Sequence, residues 1–451
     1  MTVSLKLRKA LKTLCKISGI ARLSDLANAS TFRKNFLAVA KANVIAQILL
    51  LAFMPLITRL YGPEAFGLAA YFIAALQLVS AFSSWKYEKL VPNSRSHRSA
   101  AARVLVGISV LGLACLTIIL AMATLPVEQF PWAGAAELGP LLWWLPLAVA
   151  ALGLHHLGAS WFVLEKELSL VSRARIMQSI GYLIAALACA ALSFTRSGLV
   201  VAVVASWTAS ALVLTGGLGP LKAAARKLSA DKVQRIAALT YAEASRTAGV
   251  GFVNTVSSIA PVLLLAQVYS VAEVGIYSLM MRMIGTPLTV VTSSLALSFW
   301  SRAAELAREK RYAVLRATFL KTTAYLGVPA LGVLAICLFG PPYVPLVLGQ
   351  EWAHAGPVLT ALAPLLIGSV MFSAPSHLIV LRRQGFQVIA DGLRLVLMVL
   401  VVIASHRFQL PFELAVLGVA LSSLAGHLTL FAIQLLLHRR LRLSQSTSVL
   451  G

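Results

Sequence analysis

Two basic side chains, Lys41 and Arg282, fall inside long apolar runs of this sequence, and no Asp or Glu lies at the centre of any such run. A charge within a membrane helix costs roughly 2.5–3.5 kcal/mol on insertion scales, so it marks a polar pathway or a side chain that snorkels to the surface. Lys41, near one end of its run, has both options open, whereas Arg282 lies deeper, where snorkelling is harder. Arg59, Arg246 and Arg394 stand towards the ends of apolar runs and either extend a cationic track or anchor helix ends. Asp391 precedes Arg394 by one helical turn, close enough for an ion pair that would cancel its charge. Cations with few acids suit an anion. A phosphate or pyrophosphate replaces the hydration they lose, and an arginine fork meets it with two parallel hydrogen bonds.

A sugar carried on such a group needs amide and aromatic neighbours. Asn43, Gln47, Asn254 and Tyr277 supply them, with Tyr71, Gln77, Gln178 and Gln267 also inside apolar runs. Histidine titrates near neutral pH, and among His155, His156, His377 and His427 we take His155 and His377 as candidates for proton coupling. The plainer role of each is a hydrogen-bonded packing residue, and because His155 and His156 adjoin, at most one of them faces a cavity centre. Trp143, Trp144 and Trp352 fit an interfacial belt. No hydrolytic constellation is present, so we expect a transporter and not an enzyme. The absence of GxxxxGK[ST] argues against a built-in P-loop ATP motor. Cys15, Cys115, Cys189 and Cys337 show no CxxC spacing, which gives neither a disulfide framework nor a metal site, and no cofactor is expected.

The elements that must position these residues are membrane helices. Of 451 residues 59% are hydrophobic and 12% charged, too apolar for a soluble chain of this length. Runs long enough to span a bilayer fall near 36–58, 67–85, 103–125, 141–163, 175–194, 198–218, 248–269, 275–299, 322–342, 355–380, 388–405 and 411–437, twelve in all. Of the 39 Lys and Arg, 34 lie in the N-terminal tail, the C-terminal tail and the even connections, counting with these Arg103, Arg175 and Arg394 in the adjoining halves of their spans, while the odd connections hold only Arg59, Arg196 and Arg407. By the positive-inside rule both termini are expected in the cytoplasm. Helix-end anchoring and anionic lipid account for the net charge of +24 without nucleic acid. Residues 1–35 have no signal-peptide form, and Leu5, Leu7, Leu11, Leu14 and Ile17 among lysines suggest an interfacial amphipathic helix.

The longest polar connection, Lys222 to Arg246, separates six helices from six. The expected organisation is a basic segment 1–35, an N-lobe 36–218, a linker 219–247, a C-lobe 248–437 and a short tail 438–451. A shift of 208 pairs Tyr61 with Tyr269 and Gly67 with Gly275, superposes apolar spans and preserves sidedness, as a parallel repeat of even helix number must. The fold class is therefore an all-α polytopic membrane protein with two six-helix lobes around a central cavity. Pro55, Pro146, Pro261, Pro287, Pro329, Pro364 and Pro375 lie in these spans, and about half are expected to bend them.

Pro55, the run Arg59-Leu60-Tyr61-Gly62-Pro63-Glu64-Ala65-Phe66-Gly67, then Tyr87-Glu88 and Pro92 resemble the first hairpin of bacterial polysaccharide transport proteins, the Wzx-type flippases of lipid-linked oligosaccharides. Gly275-x-Tyr277-x4-Arg282 with Pro287 is similar to that family's eighth helix. The resemblance implies the multidrug/oligosaccharidyl-lipid/polysaccharide exporter fold and alternating access. It implies an undecaprenyl-pyrophosphate-linked oligosaccharide moved across a bacterial inner membrane for O-antigen, capsule or exopolysaccharide synthesis, with polymerase and chain-length proteins as partners. Lys86 stands where the family has Arg before Tyr-Glu, which keeps the charge and loses the bidentate fork. The competing readings are a cation-coupled multidrug antiporter, disfavoured by Lys41 where an acid would be wanted, a lipid II flippase, which carries two further helices, and a non-transporting scaffold.

Overall fold

A computed structural model describes residues 41–94, 96–125, 135–309, 311–373, 376, 378, 381, 383 and 385–449. The N-terminal amphipathic segment, the first five residues of the first expected span, Pro375 and His377 lie outside the described residues. The apolar runs fold as α1 Lys41–Leu60, α2 Pro63–Ser83, α3 His97–Thr124, α4 Ala136–Leu164, α5 Leu168–Ala191, α6 Gly198–Gly216 and α7 Ala230–Leu265. Helix α8 consists of Val271–Met280 and Thr286–Arg308 joined through a π-turn at Met281–Gly285. There follow α9 Tyr312–Phe339, α10 formed by Ala355–Ala361 with Ala363–Phe372, α11 Gly385–Phe408 and α12 Phe412–Val449. Every expected span has a helix.

Ten of these helices are each long and apolar enough to cross a membrane, and α10, bent by 40°, makes an eleventh. Helix α8 carries Arg282, Thr286, Thr289 and Thr292 along its length, as befits a helix that lines a polar cavity. Helices also outrun the apolar signal. The polar stretch ahead of residue 248 is helical from Ala230, with Ser229 in an extended conformation before it and Asp231 in its first turn, where a carboxylate complements the helix dipole. Of the prolines, Pro55, Pro261 and Pro329 lie inside α1, α7 and α9 and Pro287 follows the π-turn inside α8, whereas Pro146 and Pro364 occupy first-turn positions, where a missing donor costs little.

The lobes meet where α2 crosses α8. A Cβ on Gly67 would overlap the Val271 carbonyl, and one on Gly275 would overlap that of Pro63. The repeat partners therefore sit at one crossing, each pressed on the other's backbone. Their neighbours Tyr61 and Tyr269 donate to the Ala186 carbonyl at 2.6 Å and the Leu410 carbonyl at 2.9 Å, tying each lobe to the far end of its own fifth helix or the turn just past it. Helix α2 is mostly buried, while α3, α5 and α11 are largely exposed. Apolar side chains on those outer helices face what would be lipid.

One face of the bundle carries the Lys/Arg-rich connections and the other the sparse ones. On the sparse face Trp352 is fully buried, not in an interfacial belt. Its Nε1 donates to the Thr58 carbonyl at 3.0 Å, and Phe66 packs edge-on against its ring at 5.1 Å. The indole fills the gap between the end of α1 and the loop ahead of α10, so burial and the hydrogen bond outweigh its interfacial preference. Trp143 and Trp144 are exposed, as a belt requires.

Candidate functional site

Below Phe66 lies a run of connected chambers. Helix α2 offers Phe66, Ala69, Ala70, Ile73, Ala74 and Gln77 to the first, of about 430 Å³, a helical stripe whose alanines leave room. Eleven residues separate Phe66 from Gln77, a depth of about 16 Å. Helices α5 and α6 add Gln178, Tyr182, Ser206 and Trp207, and α8 adds Tyr277, Ser278 and Arg282. A second chamber of about 400 Å³ shares Gln77, Gln178, Tyr182 and Arg282 and reaches Gln47 on α1 and Arg175 on α5. On the other side of Tyr277 a third, of about 390 Å³, holds Ser257, Thr286, Thr289, Ser369, Ser423, Arg394 and His427. It shares Arg394 and His427 with a fourth of about 180 Å³, which adds Asn254, Gln387 and Asp391.

The guanidinium of Arg282 crosses from the C-lobe to the N-lobe. Its Nη1 donates to the Tyr182 hydroxyl at 3.2 Å and its Cζ stands 4.5 Å over that ring, a cation–π contact. It projects from the π-turn of α8, where the extra residue rotates the helix face; such turns concentrate at functional sites. The bent end of α10 carries another π-turn at Ser369–Ser373, so the third chamber is bordered by two. Arg175 Nη1 donates to Gln178 Oε1 at 2.9 Å, a neutral partner. Arg394 has Asp391 at 3.5 Å and donates to the Ser257 carbonyl at 3.2 Å, so the ion pair expected from spacing is formed.

Of the residues singled out from sequence, Arg282, Arg394, Gln47, Asn254 and Tyr277 come together in these chambers. The other basic candidates do not. Lys41 is exposed on α1. Arg59 bonds the Leu346 carbonyl at 3.1 Å across the sparse-face seal, and Arg246 donates to its own helix at Ala242. Arg59 sits near the end of α1, and Lys41 and Arg246 are exposed on their helices, where a long side chain finds water or a carbonyl at less cost than a cavity. Asn43 lines none of the chambers. His155 pairs with the Ser210 hydroxyl at 2.8 Å and packs on Trp207, between α4 and α6, behind the cavity wall. Lys86 stands 3.8 Å from Glu88 in a turn where Trp85 and Lys86 have φ of 49° and 56°, a left-handed backbone uncommon for such residues.

Sequence reasoning missed Arg175. Placing the start of the fifth helix at residue 175 made Arg175 part of the basic helix end, but α5 begins at Leu168. The signal was present: Arg175, Gln178, Ser179 and Tyr182 are spaced as one helical stripe. No group of three or more His, Cys, Asp or Glu among the described residues is arranged to hold a metal.

This architecture defines a multi-pass membrane protein with a two-lobed transporter fold. It is similar to the inward-facing conformation of a multidrug resistance MATE family transporter of the MOP superfamily, at TM-score 0.65 and 14% identity over 89% of this chain and 99% of that one. It is also similar to the lipid II flippase MurJ in an inward closed conformation, at 0.67 and 12% over 88% and 87%. Against an outward-facing MATE structure the score is 0.52, at 16% identity over 91% and 96%. No curated protein matches in sequence. A model of the polysaccharide biosynthesis protein family matches residues 56–357, about two thirds of the chain. The protein belongs to that family.

Proposed function

We propose that this protein is a flippase that moves an undecaprenyl-pyrophosphate-linked oligosaccharide from the cytoplasmic to the outer leaflet of a bacterial inner membrane, with its basic face in the cytoplasm. The observation that carries this reading is the pair Arg175 and Arg282, two guanidinium groups lining one chamber whose walls include no carboxylate. Uncompensated cations away from bulk water are costly, and a diphosphate offsets both while accepting forked hydrogen bonds. Substrate therefore favours the state closed around it over the empty one. The polyprenyl chain stays in lipid, and rocking of the lobes at the α2–α8 crossing carries the head group past the sparse-face seal. A polysaccharide polymerase is the partner that would receive the product.

Membership of a polysaccharide biosynthesis family and the fold shared with a lipid II flippase support this reading. The alternative, a cation-coupled drug antiporter, draws on the MATE likeness alone and wants an acid in the N-lobe chambers. The test uses a strain deleted for the gene. Lipid-linked oligosaccharide should accumulate on the cytoplasmic leaflet and be cleared by the wild type, while Arg282→Ala at equal protein level clears it at a small fraction of the rate. Clearance by Arg282→Ala at the wild-type rate would remove the capture role, and unchanged lipid pools with altered drug tolerance would favour the antiporter.

A further inference from the structure

We infer that the two C-lobe chambers, around Arg394, Asp391 and His427, form the subsite that reads the glycan, while the diphosphate is held on the N-lobe side; this rests on the transport reading above. The two halves of the cavity differ in what they offer a ligand. A diphosphate accepts hydrogen bonds and carries charge, so it needs cationic donors. A sugar hydroxyl both donates and accepts, so its site needs donors and acceptors together and no net charge.

The C-lobe chambers meet the second requirement. Asp391 and Arg394 lie 3.5 Å apart and cancel each other's charge, while a carboxylate remains a strong acceptor for hydroxyls. Asn254, Gln387 and the hydroxyls of Ser257, Ser258, Thr289, Ser369 and Ser423 complete the lining.

Two donors or acceptors here are unsatisfied. His427 is 8% exposed and its Nδ1 has no hydrogen-bond partner, and the same holds for the buried Nε of Arg394. A buried polar atom left unpaired costs about 1–3 kcal/mol, which identifies these as positions that a ligand completes. Their placement is held by small neighbours: a Cβ on Gly368 would lie 2.9 Å from His427 Nδ1, and one on Gly426 2.8 Å from Arg394 Cβ. Tyr277 and Ser258 stand at the join with the first chamber, so a glycan attached to a diphosphate at Arg282 enters the C-lobe side directly.

The test measures binding of two lipids to the protein in nanodiscs by native mass spectrometry. One is the lipid-linked oligosaccharide extracted from the gene-deleted strain and the other is undecaprenyl diphosphate without sugar. His427→Phe and Asn254→Leu, on separate helices, should each weaken the glycan-bearing lipid about tenfold, in keeping with a lost hydrogen bond, and leave the sugar-free lipid unchanged, which also reports correct folding. Equal weakening of both lipids in both variants, or of neither, overturns the subsite while the flippase reading stands. If the wild type binds neither lipid, the transport reading falls and the subsite with it.

Discussion

The fifth helix of each lobe presents a polar stripe to the cavity over two turns, Arg175, Gln178 and Tyr182 on α5 against Gln387, Asp391 and Arg394 on α11. Both helices turn a polar stripe to the cavity, but the residues are not partners under the 208-residue shift and their charge differs. On α5 the guanidinium meets an amide at 2.9 Å, whereas on α11 it meets a carboxylate at 3.5 Å. The difference teaches that two similar scaffolds can line one cavity with different electrostatic character. One half keeps a free positive charge, further strengthened by Arg282 reaching over from α8, and the other holds a neutral, donor-and-acceptor surface.

If the lobes are equivalent at their crossing and differ only in their chambers, Gly67→Ala and Gly275→Ala should be equally harmful. Each forces a Cβ into backbone and should cost about 3 kcal/mol, the upper range for overpacking, read as matching losses in melting temperature. Unequal losses would break the equivalence. Arg175→Leu removes the free charge and should weaken pyrophosphate binding by about 1.5–3 kcal/mol, roughly 10- to 150-fold, as measured by calorimetry, with little change in stability. Asp391→Asn attacks the other chamber and should do the reverse. It leaves Arg394 without its counter-charge and should lower stability by about 2 kcal/mol, below the range for fully buried pairs because both side chains keep some exposure. A stability loss as small as that of an exposed pair would show the pair to be dispensable and blur the contrast. The smallest effect is expected of Trp352→Phe. It removes one hydrogen bond to Thr58, about 1 kcal/mol, and should raise cysteine labelling from the sparse face about fivefold.

The membrane fold was legible in the sequence because bilayer-length apolar runs and alternating loop charge are large, redundant signals. The repeat was legible from Tyr61, Gly67 and their partners. Arg282 could be picked out because a charge deep in an apolar run has no cheap alternative to a cavity. Arg175 could not, because a basic residue near a helix start looks the same as an anchor until the true first turn is known. Lys41, Arg59 and Arg246 show the same ambiguity resolved the other way. Trp352 misled because composition records that tryptophan favours interfaces but not that a gap between lobes needs filling.

The reciprocal crossing of α2 and α8 carries a further consequence. Residue 67 presses on residue 271 and residue 275 on residue 63, and each pair maps onto the other under the 208-residue shift. This is the contact pattern of an isologous interface, in which one surface recognises a second copy of itself about a dyad. An ancestor of half this length would have needed only one glycine to make both contacts, as a homodimer of six-helix chains. Within one chain the two copies need not be identical, so an acid on one fifth helix alone leaves the joint between the halves unaltered.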